Sequence, residues 1–164
     1  MSIYKNSCPV PFDQQPLNEY LSLKKSCLFS WSVSKIRTFL YGFVSIFTVS
    51  SILVSVFLLP FIYSYSMLKI LVLNFVISNI ILLFIFIRLY LGWSYVIKRL
   101  LSATVFYEES GWYDGQIWVK TSEYLIQDRL VGFYQIMPYI IRIRYICCIL
   151  IISFLCLSYC YNYL

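Results

Sequence analysis

Three stretches of this sequence carry no charged side chain. Thirty-one residues separate Arg37 from Lys69, 18 separate Lys69 from Arg88, and 20 follow Arg144. A bilayer's hydrocarbon core of ~30 Å takes about 20 apolar residues in a helix, so each stretch is sized for one crossing. The composition agrees. Hydrophobic residues make up 61% and charged residues 12% of the chain, against about half and about a quarter in soluble domains. Such apolarity also excludes disorder for most of the chain. The expected fold class is an α-helical integral membrane protein with three transmembrane helices, at about Phe39–Phe61, Met67–Leu91 and Tyr145–Tyr163. Pro60 falls near the end of the first, where a missing N–H costs least. The short link Tyr63–Ser66 makes the first two an antiparallel hairpin.

Orientation follows from where the cations lie. Five precede the first helix (Lys5, Lys24, Lys25, Lys35, Arg37) and the turn has one, Lys69. Seven fall between 88 and 144, and none follows. Positive segments stay on the side of synthesis. The N-terminus and the 88–144 segment are therefore expected on that side, with the turn and C-terminus opposite. Five parts result: an arm at 1–37, the first helix and turn at 38–66, the second helix at 67–91, an exposed β-hairpin plus helix at 92–144, and the third helix at 145–164. The first 30 residues lack the apolar core of a signal peptide, and they hold acids and no arginine, unlike a transit peptide. The net charge of +6 is spread over helix ends instead of forming a stripe, so nucleic acid is not an expected partner.

Within the spans, Ser45, Thr48, Ser51 and Ser55 share one side of the first helix. Asn74 and Ser78 lie four apart on the second, with Asn79 on an adjacent face. In lipid such groups hydrogen-bond between helices, and this is the expected role. A contact of the asparagines to a pigment, quinone or ion is the sharper alternative.

In the arm, each proline of the run from Cys8 to Pro11 biases its predecessor toward extended backbone. Asn18 is the expected cap of a short helix starting at Glu19. In the second exposed part, Thr104–Glu108 and Gln116–Val119 are rich in β-branched and aromatic residues around a Gly/Asp loop, which reads as a β-hairpin. An isolated hairpin is marginal and needs something to pack on. Thr121 or Ser122 then caps a helix whose expected apolar stripe is Tyr124, Leu125, Leu130, Phe133 and Met137. Pro138 is expected to kink or break it.

The sequence has one alanine (Ala103), no histidine, 22 Ile, 16 Tyr and 13 Phe. That bias matches an AT-rich organelle or endosymbiont genome, so an aromatic residue is not functional by default. Without histidine, the usual general base near neutral pH and the commonest transition-metal ligand are missing.

Two motif runs stand out: Cys8–Tyr20 (CPVPFDQQPLNEY), and Tyr107–Trp118 (YEESGWYDGQIW) with Lys120 and Asp128–Leu130 following. Together they resemble the hypothetical chloroplast open reading frame thirty-six family, and the resemblance covers nearly the whole chain. Where that family's pattern carries an arginine before Asp-Arg-Leu, this chain has Gln127. The resemblance implies a small multi-pass plastid (chloroplast) membrane protein of the thylakoid or inner envelope, with its arm and hairpin in the stroma. It supplies no activity.

The chemistry of the sequence is sparse. Cys147, Cys148, Cys156 and Cys160 read as small apolar filler of the third helix, and no Cys-x-x-Cys is present. Glu108, Glu109, Asp114, Glu123 and Asp128 offer carboxylates for acid–base work or a hard cation. Capping and ion pairing with Lys120 and Arg129 are the plainer role. No phosphate loop or nucleophile elbow appears. No catalytic residue, metal ligand or cofactor is assigned. The leading reading is a non-catalytic protein that binds the lipid bilayer and a protein partner, in assembly, maintenance or stress adaptation of photosynthetic membranes. The candidate docking residues are Glu108, Glu109, Gly111, Trp112, Tyr113, Asp114 and Trp118, because Trp and Tyr dominate interface hot spots. Trp112 and Tyr113 serve equally as a headgroup anchor. The arm contributes the motif residues Cys8, Pro9, Pro11, Gln15, Pro16, Glu19 and Tyr20. The alternative is a redox- or metal-handling membrane enzyme using Cys8 and the hairpin carboxylates. A third reading, a small-molecule or ion carrier, requires an oligomer.

Overall fold

The computed structural model describes residues 9–61, 63, 65–108 and 115–163. Its elements are α1 (Pro16–Lys25), α2 (Cys27–Val33), α3 (Ile36–Leu58), α4 (Met67–Leu101), β1 (Thr104–Glu108), β2 (Gly115–Val119), α5 (Ser122–Val131) and α6 (Met137–Tyr163). Among the described residues, three helical stretches are long and apolar enough to cross a membrane: Ile36–Phe61, Met67–Leu101 and Ser122–Tyr163. The chain divides into two compact units. One joins the residues up to Ser30 with Gly92–Ile140, and the other joins Trp31–Leu91 with Ile141–Leu164.

In the second unit, α4 is bonded to both other long helices. Asn74 Nδ2 donates to Ser51 Oγ of α3 at 3.0 Å, and Asn79 Nδ2 donates to Ser153 Oγ of α6 at 2.5 Å. The two asparagines are five apart, so their faces diverge and each reaches a different neighbour. The expected serine face of α3 does not form as a whole. Thr48, Ser50 and Ser55 turn their hydroxyls onto carbonyls three residues back in their own helix. Ser45, Thr48 and Ser55 are exposed. Such local bonding satisfies a hydroxyl without a partner helix, and only Ser51 crosses. Near the start of α3, Trp31 stacks on Phe39 at 4.9 Å and its indole N–H donates to the Phe39 carbonyl at 3.2 Å. Gly42 makes room for it, since a Cβ there would lie 2.0 Å from the indole nitrogen.

In the first unit, helix α4 continues ten residues past the expected end at Leu91. The reason is a second buried stripe at three- and four-residue spacing: Trp93, Val96, Ile97 and Leu100. Gly92 is no stop signal. A Cβ there would sit 2.5 Å from the Phe29 ring, and that ring meets Trp93 edge-on at 5.6 Å. The hairpin is antiparallel, with Thr104 opposite Val119, Phe106 opposite Ile117 and Glu108 opposite Gly115. One of its faces packs Val105, Tyr107 and Trp118 around Val10 of the arm. The arm is therefore what the hairpin rests on.

Three local expectations need correction. Helix α1 begins at Pro16, not Glu19, because proline is pre-shaped for the first helical position. Asn18 lies inside it and ties down the preceding turn, donating to the Phe12 carbonyl at 2.9 Å and Gln15 Oε1 at 3.0 Å. Pro138 does not break the chain's last helix. A π-turn over Gly132–Ile136 shifts the bonding, with Met137 N–H donating to Gly132 O, and α6 runs on from there. A proline near that start lacks only an N–H that the wide turn leaves spare. The packed row of α5 and the π-turn is Asp128, Gly132 and Ile136, while Leu130 and Phe133 of the expected stripe are exposed.

Candidate functional site, a cleft between arm and hairpin

The first unit is tied together by two ionic centres. The first is Arg99, in the last turn of α4. Its guanidinium pairs with the Glu19 carboxylate of α1. It also donates to the Gln14 carbonyl at 3.1 Å, the Phe106 carbonyl at 3.2 Å and the Tyr95 hydroxyl at 3.2 Å. Gln14 extends the strand pairing with its side chain. Its amide donates to the Glu108 carbonyl at 3.0 Å and accepts from the Glu108 N–H at 2.9 Å. Burial pushes the Glu19 carboxyl above its usual 4.5, against the opposing pull of Arg99. Glu19 Oε2 is buried without a hydrogen bond.

The second centre is Lys120, buried just after β2. Its ammonium donates to the Arg99 carbonyl at 3.0 Å, the Leu100 carbonyl at 3.1 Å and Asp128 Oδ2 at 2.6 Å. Three N–H groups meet three acceptors. Two of those are last-turn carbonyls of α4, which have no partner within the helix, and a cation at that end also suits the helix dipole. Asp128 comes from α5, so one lysine joins α4, β2 and α5. Burial pushes the Asp128 carboxyl above its usual 3.8, partly offset by the hydrogen bond and charge of Lys120.

Over this pair lies a cavity of about 260 Å³. Val10, Phe12, Pro16 and Leu21 of the arm form one wall, and Trp118 and Tyr124 form the other. The two rings meet edge-on at 5.5 Å. Gln15, Asn18 and Gln127 add amide groups, and Lys120 and Asp128 line it as well. An aromatic and aliphatic pocket with a few fixed polar groups suits a binding site.

Of the candidate docking residues, Glu108 is exposed at the end of β1 and Trp118 is half-buried in the cavity wall. Glu108 lines a different, larger cleft of about 740 Å³ beside Arg99, so the structure does not bring these two together. Glu109, Gly111, Trp112, Tyr113 and Asp114 lie outside the described residues, as does Cys8. In the arm, Pro9 is exposed and Pro11 precedes a single turn at Phe12–Gln14. Gln15 holds the position before α1 without a side-chain capping bond and donates to the Val10 carbonyl at 3.2 Å, and Pro16 is buried. Tyr20 packs on Trp93 at 6.0 Å and donates to Gln135 Oε1 at 2.9 Å. Among the described residues, no three of Cys, Asp and Glu gather as a metal site. Sequence reasoning missed Arg99 and Gln14. The one signal for Arg99 was its place, a cation closing an apolar helix with acids only in distant segments.

The comparisons with known proteins bear on both motif runs. The family model CGLD27-like (conserved in the green lineage and diatoms 27) matches residues 8–149. A Porphyra purpurea protein named uncharacterized protein ycf36 is 50% identical over 152 residues, covering 88% of each chain. Its namesake in Cyanophora paradoxa is 48% identical over 140 residues, covering 84% of this chain and 87% of its own. In Arabidopsis thaliana, the chloroplastic protein Conserved in the Green Lineage and Diatoms 27 is 44% identical over 133 residues, covering 80% of this chain and 41% of its own. No solved structure matches. With a family match over most of its length and relatives this similar, the chain belongs to the ycf36/CGLD27-like family.

Proposed function

We propose that this chain is a three-span plastid membrane protein whose stromal unit binds a protein partner, without catalysis of its own. One observation carries the reading: two motif runs about a hundred residues apart in sequence close around one aromatic cavity. The groups beside that cavity are spent on structure, since Lys120 donates to three acceptors and Asp128 is its counterion. Binding is the chemistry left to the walls. The plastid placement rests on the relative named chloroplastic. The membrane topology rests on three apolar helices and the cation distribution. Thylakoid or inner envelope is the membrane, and assembly, maintenance or stress adaptation of photosynthetic complexes is the process.

The test compares co-purified partner per folded molecule in wild type, Trp112→Ala and Trp118→Ala. Truncating an anchoring tryptophan costs ~2–4 kcal/mol, or roughly 30- to 1000-fold in affinity. Loss in Trp118→Ala alone assigns docking to the cavity, and loss in Trp112→Ala alone assigns it to the hairpin tip. Unchanged ratios in both, with normal folding and insertion, would sink the docking function.

A further inference from the structure

At the far end of α3 and α4 from the cation-rich termini, a cavity of about 300 Å³ opens within the second unit. Its apolar walls come from all three long helical stretches or their ends: Leu58 and Phe61, Ile70 and Leu73, and the ring of Tyr161. One cation lines it, Lys69, whose ammonium lies 5.6 Å from the centre of the Tyr161 ring. Tyr65 completes the polar side.

Lys69 is out of place by three separate rules. It is the only cation between Arg37 and Arg88, on the side that positive residues avoid. It occupies the first turn of α4, where the helix dipole disfavours a positive charge. And no acidic side chain is there to pair with it, because this unit, Trp31–Leu91 with Ile141–Leu164, contains no Asp or Glu. A cation that topology, dipole and pairing all disfavour, set on the rim of an apolar cavity at a membrane boundary, complements one kind of molecule.

We infer that this cavity holds an anionic lipid, with its acyl chain against Leu58, Ile70 and Leu73 and its charged headgroup at the Lys69 ammonium. The inference rests on the membrane reading above. A free anion leaves the apolar walls uncovered and a neutral lipid leaves the Lys69 charge with only the Tyr161 ring, so both features are used only by a molecule that has both parts.

The experiment is native mass spectrometry of the full chain purified from bilayers of phosphatidylglycerol mixed with a neutral galactolipid. Wild type is expected to retain phosphatidylglycerol selectively. Lys69→Ala should retain one molecule fewer, with occupancy down on the order of five-fold, the effect of one cation at an anionic membrane surface. Lys69→Arg should restore it. Leu73→Trp, which fills the apolar end and keeps the charge, should lose it. Arg37→Ala, at the opposite end of α3, should not affect this molecule. Equal retention by wild type and Lys69→Ala, or equal retention of the galactolipid, overturns the inference. Alkaline carbonate extraction of the same membranes separates the two levels. Release of wild type overturns the membrane reading, whereas retention without a lipid difference overturns only this site.

Discussion

The two units solve the same problem, how to use polar groups inside a fold, with different chemistry. The first holds seven cations and all seven acids of the chain, so its charges cancel. The second holds Lys35, Arg37, Lys69, Arg88, Arg142 and Arg144 with no acid, so the whole net charge of +6 belongs to it. Inside the first unit the joints are ionic, Arg99 with Glu19 and Lys120 with Asp128. Inside the second, the side-chain bonds from α4 to α3 and α6 are neutral, amide to hydroxyl, and its cations meet carbonyls and rings instead of acids, as Arg142 does the Ser34 carbonyl at 3.2 Å. The difference follows the surroundings each is built for. The ions of the first unit are held by each other and by backbone carbonyls, whereas a neutral amide–hydroxyl bond avoids the desolvation cost of two ions.

The largest break in this contrast comes from Lys120. Lys120→Ala leaves Asp128 buried without its counterion and the Leu100 carbonyl without that donor, while the Arg99 carbonyl keeps only the Ser102 hydroxyl at 2.9 Å. Breaking a buried pair from one side costs about 3–5 kcal/mol, which is a large part of a domain's stability. Full-length Lys120→Ala in membranes should become sensitive to protease in the 92–140 segment while remaining membrane-integral. Lys120→Met with Asp128→Leu should recover much of the loss, because the doubly apolar pair leaves no orphaned charge. Protease resistance equal to wild type in the single variant contradicts the role assigned to this joint.

The three long apolar helices were legible because charge-free length is a local property, read residue by residue. The hairpin was legible for the same reason, and β1 falls at Thr104–Glu108 where its composition puts it. What escaped was tertiary. Arg88, Lys98 and Arg99 close the apolar stretch in sequence, yet α4 continues to Leu101 because Trp93 and Leu100 find partners that no local pattern announces. Pro138 read as a kink or a break, and that the break does not occur was not legible, because the π-turn that accommodates it depends on five preceding residues adopting a rare geometry. Ion pairing with Lys120 was the plainer role expected of these acids, and Asp128 takes it; that the pair is buried was not legible, since only the fold closes around it. For the tip residues Glu109–Asp114, the sequence pattern is the whole basis of their candidacy.

A smaller effect tests the neutral side of the comparison. Asn79 bonds Ser153 from a position only 5% exposed. Asn79→Leu removes the bond but adds apolar volume that hydrocarbon tolerates. Interhelical bonds of this type are worth ~0.6–1.7 kcal/mol. The variant should insert normally and show a modest loss of α4–α6 association, measured as crosslinking between cysteines introduced on those helices in a cysteine-free background. A loss as large as that of Lys120→Ala would mean that the second unit depends on its polar joints as heavily as the first, and the contrast would fail.

The smallest expected effect concerns pH and the Glu19–Arg99 joint. Burial raises the Glu19 carboxyl above 4.5 and outweighs the opposing attraction of Arg99. With a raised folded-state value, the native chain binds more protons than the unfolded chain between 4.5 and that value. Linkage then requires the stabilising contribution of Glu19 to be full below 4.5, to fall as pH rises through the raised value, and to be flat above it. Both partners keep about a fifth of their side chains exposed, so solvent screening holds the effect within ~1 kcal/mol. Glu19→Gln carries no titration and serves as the reference. The quantity to measure is the protection of first-unit amides against hydrogen exchange, wild type relative to Glu19→Gln, corrected for the intrinsic effect of pH on exchange. That relative protection should hold level below 4.5 and decline as pH rises past it. A rise over the same range would mean that Arg99 lowers the carboxyl below its ordinary value. The joint would then behave as a solvated surface pair, and Lys120–Asp128 would be the one of these two ionic centres governed by burial.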